Sequence, residues 1–133
     1  MNILIADDHA AVRNGLREIL DDAISGAHFS EAGDGNEVLG LLADAEFDLL
    51  LLDINMPGRG GLDVLRSAKR HYPELPVVIV SVQPEDQYAK RCLTAGAAAY
   101  IKKDRAPEEL AQTAKAVLSR TRTVCLASPS SSE

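Results

Sequence analysis

The sequence has no tryptophan, and three tyrosines and two phenylalanines are its only other large aromatic rings. Its two cysteines, Cys92 and Cys125, are too few for a disulfide framework. Nothing at the start of the chain reads as a signal peptide, so the expected compartment is a reducing cytoplasm. Long apolar runs are missing as well. The longest, Phe47–Leu52, is interrupted by Asp48 and falls far short of the ~18 residues that would suggest a membrane span. There is no basic excess: 14 Lys+Arg against 20 Asp+Glu give a net charge of −6 over 133 residues. Phosphate backbones need a basic footprint, so this segment is not expected to grip nucleic acid itself. Small anions and divalent cations remain as ligands. The three histidines, His9, His28 and His71, have no metal-ligand spacing that would make a zinc site. At this length one domain is expected.

What the chain does contain is an alternation of short apolar runs with helical stripes. Asn2–Ala6 is a brief apolar run, followed by Val12, Leu16, Ile19, Leu20 and Ala23 at the spacing of one helix face. His28–Ala32 is a weaker strand candidate, followed by a stripe of Val38, Leu41, Leu42 and Ala45. Leu49–Leu52 suits a strand buried on both faces, and Val77–Val80 does the same with β-branched residues. A loop over Met56–Gly61 leads to a stripe of Leu62, Leu65 and Ala68. Tyr88, Cys92, Leu93 and Ala95 mark a fourth helix, Ala97–Ile101 a last strand, and Leu110, Ala114, Val117 and Leu118 a fifth helix. Strand and helix repeat five times, which predicts a doubly wound, flavodoxin-like parallel sheet in the order 2-1-3-4-5 with helices on both faces. Residues 1–119 form that domain. The stretch 120–133 reads as an extended linker or tail ending in a serine-rich run.

Ligands of such sheets sit beyond the carboxyl ends of the strands. Those ends carry Asp7 and Asp8, then Asp53, then Ser81, and after the fifth strand Lys102 and Lys103. The predicted strand order makes strands one and three neighbours, which brings Asp7, Asp8 and Asp53 together. At ~5 Å and an effective dielectric of ~20, each pair of like charges costs roughly 3 kcal/mol, so the cluster calls for a cation. A few hard oxygen ligands favour Mg²⁺. The plainer reading of Asp7 or Asp8 alone is a cap on the following helix. A carboxylate beside Mg²⁺ and a fixed ammonium can attack a phosphoryl group in line and become an aspartyl phosphate. A hydroxyl at Ser81 could then donate to the new phosphoryl oxygens. Singly, Ser81 reads equally well as a plain strand end and Lys103 as a surface lysine.

Three motifs carry a resemblance: I-L-I-A-D-D-H at Ile3–His9, L-L-L-D-I-N-M-P-G at Leu50–Gly58, and A-Y-I-K-K-D at Ala99–Asp104. With the spacing of Asp53, Ser81 and Lys103, they make the chain resemble receiver domains of two-component response regulators over Asn2–Ser119. The D-D-H opening and K-D ending look most like the NarL/LuxR-type subfamily. The resemblance implies that Asp53 is the phosphoacceptor, receiving its phosphoryl group from a sensor histidine kinase. Asp7, Asp8, Asp53 and the backbone carbonyl of Asn55 would hold Mg²⁺. Lys103 would contact the phosphoryl group, Ser81 would be the switch hydroxyl and Tyr100 the aromatic that follows it. Asn55 and Gln83 would tune loss of the phosphoryl group. It further implies transcription regulation through a DNA-binding helix-turn-helix domain absent from this sequence, and allows a homodimer on phosphorylation. Lys103 is preferred to Lys102 because Tyr100 then lies three residues before it, as in the family. Asp104 departs from the proline that many members carry after the lysine.

Two other functions compete. An aspartate-nucleophile phosphohydrolase would need a general acid two residues beyond Asp53, and Asn55 there has no titrating proton. A phosphate-independent interaction module would not need the set Asp7, Asp8, Asp53, Ser81 and Lys103. His9 reads as a surface histidine at a helix start, Cys92 as core, Cys125 as a tail thiol able to form adventitious dimers, and Arg59 as loop charge. Gly33-Asp34-Gly35 opens like a dinucleotide fingerprint, but Val38 stands where its third glycine belongs.

Overall fold

The structure, a computed structural model, describes residues 1–56 and 60–130, with side chains as far as Ser119. Five strands alternate with five helices: β1 (Asn2–Ala6), α1 (Ala10–Ala23), β2 (His28–Ala32), α2 (Gly35–Asp44), β3 (Leu49–Leu52), α3 (Gly61–His71), β4 (Val77–Ser81), α4 (Glu85–Thr94), β5 (Ala99–Lys102) and α5 (Ala106–Ser130). A 3-10 turn over Lys103–Arg105 joins β5 to α5. The strands form one parallel sheet in the order β2-β1-β3-β4-β5, as the alternation predicts.

The burial of each strand follows from its place in that order. β3 and β4, inside the sheet, are buried at every residue, which is why Leu49–Leu52 and Val77–Val80 read as unbroken apolar runs. The edge strand β2 keeps Phe29, Ser30 and Glu31 only half-buried, hence its weaker signal. Successive residues point to opposite faces. Leu4, Ala6, Leu50, Leu52, Val77 and Ile79 face the layer of α2, α3 and α4. Ile3, Ile5, Leu49, Leu51, Val78 and Val80 face α1 and α5. A one-residue slip of register would exchange the two cores, so register is strongly specified.

The helices start by different devices. Asp34 caps α2 by accepting from Glu37 N–H at 2.9 Å, while the Glu37 carboxylate reaches back to Gly33 N–H at 2.6 Å. This D-x-x-E arrangement is close to a capping box, with the Glu37 carboxylate on the N–H one residue before the N-cap, and it gives Gly33-Asp34-Gly35 a structural role. α3 starts at Gly61 because nothing larger fits: a Cβ there would lie 2.1 Å from Ile54 Cα. The α5 helix corrects one expectation. Residues 120–127, expected to be extended, instead continue the helix, which runs on to Ser130. No glycine or proline lies between Pro107 and Pro129, and once a helix is nucleated each further residue adds a backbone hydrogen bond. The expectations for Arg59 and for the side chain of Cys125 lie outside the described residues. Among the described residues no helix is long and apolar enough to cross a membrane.

Candidate functional site

Parallel strands place their carboxyl ends along one edge, and the register β1·β3 and β4·β5 sets the site residues side by side. Asp7 directly follows β1, Asp53 follows β3, Ser81 ends β4, and Lys103 opens the turn after β5. Asp7, Asp53 and Ser81 are the only buried polar or charged residues among those described, at 1%, 3% and 0% exposure. Lys103 Nζ stands between the two carboxylates, 2.6 Å from Asp7 Oδ2 and 3.1 Å from Asp53 Oδ2. This contact selects Lys103 over Lys102 as the lysine of the site.

Each acid is held locally. Asp53 Oδ1 accepts from Asn55 N–H at 3.0 Å and Oδ2 from Lys103. Asp7 Oδ1 accepts from His9 N–H at 2.9 Å. Neither Asp7 nor Asp8 caps α1: the N-cap is His9, with no side-chain cap bond, so the capping alternative does not hold. Asp7 Oδ2 is sealed from solvent, and its one close partner is the Lys103 ammonium at 2.6 Å. Asp8 is on the solvent side, its Oδ1 3.0 Å from His9 Nδ1.

The electrostatics follow from burial. Burial pushes the Asp53 carboxyl above its ordinary range, against the opposing pull of the Asn55 N–H and of Lys103. Burial alone would lower the Lys103 pKa, but the Asp7 and Asp53 carboxylates outweigh it and hold the ammonium above its ordinary range. A buried ammonium between two carboxylates is the state to expect when no other cation balances them.

Ser81, Asn55, Gln83 and Tyr100 form a second group beside the acids. Asn55 Nδ2 lies 3.5 Å from Ser81 Oγ, and Ser81 Oγ accepts from Gln83 N–H at 3.1 Å. The Tyr100 hydroxyl donates to the Gln83 carbonyl at 2.9 Å while its ring packs on the α2–α4 core. Burial raises the pKa of that hydroxyl.

His9, read as a surface residue at a helix start, is 69% exposed and is the N-cap of α1, with its ring beside Asp7 and Asp8. One residue at the site went unrecognised in the sequence. Arg13 on α1 pairs with Glu31 of β2 at 2.7 Å and donates to the Asp7 carbonyl, tying the ends of β1 and β2 together. The D-D-H run carried a signal for His9, whereas nothing local links Arg13 to Glu31.

Comparison with known proteins identifies the family of the chain and the likeness of its fold. Residues 3–115 match the family model of the response regulator receiver domain. The response regulator GacA of Pseudomonas aeruginosa is 35% identical over 122 residues, covering 92% of this chain and 57% of its own length. The response regulator UvrY of Escherichia coli is 33% identical over 122 residues, covering 92% of the chain and 56% of its own. The chain thus spans little more than half the length of these relatives. Among solved structures, a CheY-like receiver domain protein from Methanospirillum hungatei superposes with a TM-score of 0.84 at 29% identity, covering 92% of this chain and 96% of its own. A LuxR-family regulator from Aurantimonas gives 0.83 at 28% identity, covering 90% and 85%.

Proposed function

The chain belongs to the response regulator receiver domain family, and from that premise we propose that it is a phosphorylation-operated switch with Asp53 as its phosphoacceptor. The observation that carries the assignment is the Lys103 ammonium between Asp7 and Asp53 at the carboxyl edge of the sheet. An Asp53 oxygen attacks the phosphorus of a phosphohistidine on a sensor kinase. The new O–P bond forms as the donor's P–N bond breaks, and the histidine takes the leaving electron pair. Lys103 neutralises the transferred oxygens, and the Ser81 hydroxyl donates to one of them.

The acidic pocket suits Mg²⁺: its donors are hard oxygens, and the buried Asp7 and Asp53 carboxylates share the single Lys103 ammonium. Asp7, Asp8, Asp53 and the Asn55 carbonyl would hold the ion, which when bound supplies positive charge to the phosphoryl oxygens. Asn55 supports a switch over a turnover phosphohydrolase. Its amide lies toward Ser81 and has no proton to give a leaving group. Gln83, whose peptide joins Ser81 to Tyr100, is placed to influence loss of the phosphoryl group.

Residues 1–119 are the receiver. Relatives such as GacA and UvrY extend well beyond the matched region, and the proposed role is transcription regulation in the cytoplasm through a DNA-binding output domain, with phosphorylation able to alter self-association. Incubation with Mg²⁺ and acetyl phosphate should add one labile phosphoryl mass, followed by intact-mass spectrometry. The mass should be absent for Asp53→Asn and without Mg²⁺; unchanged labelling of Asp53→Asn would refute the assignment. Size-exclusion chromatography of the same samples reads the oligomeric state.

A further inference from the structure

A cleft of about 620 Å³ opens at the amino edge of the sheet, at the opposite end of the strands from Asp53. One wall is the end of α2 with the loop into β3, and the other is the turn between α3 and β4. Leu42 and Leu75 line it, 5% and 7% exposed. Of the chain's three tyrosines and two phenylalanines, one of each, Tyr72 and Phe47, also lines it with a half-buried ring. Exposed aromatic edges on an apolar floor are the usual anchors of protein interfaces. The walls are held in place without a partner. Lys69 Nζ donates to the Pro73 and Leu75 carbonyls, each at 2.8 Å, and Asn2 N–H donates to Asp48 Oδ2 at 2.8 Å. A preformed cleft spares a partner the cost of ordering it.

The charge of the rim is of one sign. Asp44, Glu46, Asp48 and Glu74 are exposed around the cleft, and no lysine, arginine or histidine lines it. Helix α2 ends at Asp44 with no basic residue in its last turn, so the negative end of its dipole adds to the carboxylates. An apolar floor inside an anionic rim complements arginine and lysine, whose stems cover apolar surface while their heads stay at the wet edge. The two rings add attraction for those heads. We propose that this cleft docks a basic, amphipathic segment of a partner protein, in which arginine or lysine alternates with aliphatic residues. A second copy of the chain is the poorer occupant, because two molecules of net charge −6 repel one another. Asp48 and Pro76 directly precede β3 and β4, whose other ends lead to Asp53 and Ser81. At about 3.3 Å per residue, Asp48 and Asp53 stand roughly 16 Å apart along the strand. Docking at the amino edge therefore leaves the carboxyl edge free and does not depend on phosphorylation.

The test is an amide NMR titration of the full chain, at physiological ionic strength, with two end-blocked pentapeptides, Arg-Leu-Arg-Leu-Arg and Glu-Leu-Glu-Leu-Glu. The basic peptide should give saturable shifts concentrated at residues 42–48 and 72–76, and the acidic peptide none. Glu46→Lys combined with Glu74→Lys should weaken binding about tenfold. Asp21→Lys combined with Asp22→Lys, an equal change of charge on an exposed part of α1, should weaken it by less than about twofold. Equal weakening by the two pairs would trace the effect to net charge and overturn the proposal. Absence of binding, or shifts confined to Asp7, Asp8 and Asp53, also overturns it. Equal binding of the acidic peptide overturns the role of the rim. A peptide-free dimer in sedimentation, abolished by the Glu46 and Glu74 changes, overturns the partner protein in favour of a second copy.

Discussion

Gly61 offers the sharpest test of how the backbone supports the site. A methyl group there would stand 2.1 Å from Ile54 Cα and 2.7 Å from both the Ile54 carbonyl carbon and oxygen. These are backbone atoms with no rotamer to move, so Ile54 or the start of α3 would have to shift by about 1 Å. Overpacking of this kind costs about 1–3 kcal/mol. The shift also weakens the Gly61 N–H to Ile54 carbonyl bond, now 3.1 Å, by up to ~1 kcal/mol, which the better helix propensity of alanine roughly offsets. Gly61→Ala should therefore destabilise by about 1–3 kcal/mol, lowering Tm by roughly 4–12 °C for a domain of this size. Ile54 lies between Asp53 and Asn55, so the displacement also disturbs the Asn55 N–H that holds Asp53 Oδ1. Acetyl phosphate labelling should slow alongside. Gly40→Ala is the control: Gly40 is exposed within α2 with nothing within 4 Å of the added carbon, so that change should stabilise by ~0.5–1 kcal/mol. Urea and thermal unfolding read both variants. Gly61→Ala melting at or above wild type, with Gly40→Ala behaving as stated, would refute the argument.

Burial holds the Asp53 pKa above its unfolded value, so ionising it costs stability as pH rises through the carboxylate range. Asp53→Asn should accordingly raise Tm near neutral pH, with the gain shrinking as the buffer is acidified below the folded-state pKa. Lys103 is the converse. Its raised pKa contributes stability that is complete below the unfolded value near 10.5 and is lost as pH rises through the folded value. Urea unfolding should therefore show wild type losing stability more steeply than Lys103→Met above about pH 10.5. Lys103→Ala should be labelled by acetyl phosphate much more slowly than Lys102→Ala, and equal loss in both would remove the distinction between the two lysines. Tyr100→Phe deletes the bond to the Gln83 carbonyl and should cost about 1 kcal/mol in urea unfolding, with labelling retained.

The interior strands were legible because burial on both faces leaves an unbroken apolar run, and the site residues because a parallel sheet collects strand ends on one edge. That is how Asp7, Asp53 and Lys103, far apart in sequence, could be expected together. The less legible parts have physical reasons too. At Asp34–Glu37 the glycines drew attention only to a dinucleotide fingerprint that Val38 rules out, and the capping role of the acids went unread. Residues 120–130 lack the apolar stripe that marks a packed helix, yet α5 runs on through them to Ser130. His9 and Arg13 owe their positions to side-chain reach across a turn and between two strands, which periodicity does not encode. The preference for Lys103 over Lys102 was carried by the position of Tyr100 in a family pattern, and the bridge to Asp7 and Asp53 supplies its physical reason.

The arrangement around Gln83 offers the proposed switch a route from Asp53 to the surface. Ser81 Oγ accepts from the Gln83 N–H, while the Tyr100 hydroxyl donates to the carbonyl of the same residue. Both side chains thus hold the main chain of one residue in the β4–α4 loop. A hydroxyl that turns to donate to a phosphoryl oxygen on Asp53 reorients its lone pairs, and its hold on the Gln83 N–H weakens. The Gln83 peptide can then rotate, and rotation moves the carbonyl that anchors Tyr100. The ring spans the α2–α4 core and the loop next to Val82, which is 63% exposed. Under the proposed function, phosphorylation would need no large displacement to be read outside the pocket: a new bond donated by Ser81 would bias the Tyr100 contact with Gln83, and a binding partner that distinguishes the two arrangements would supply the rest of the coupling.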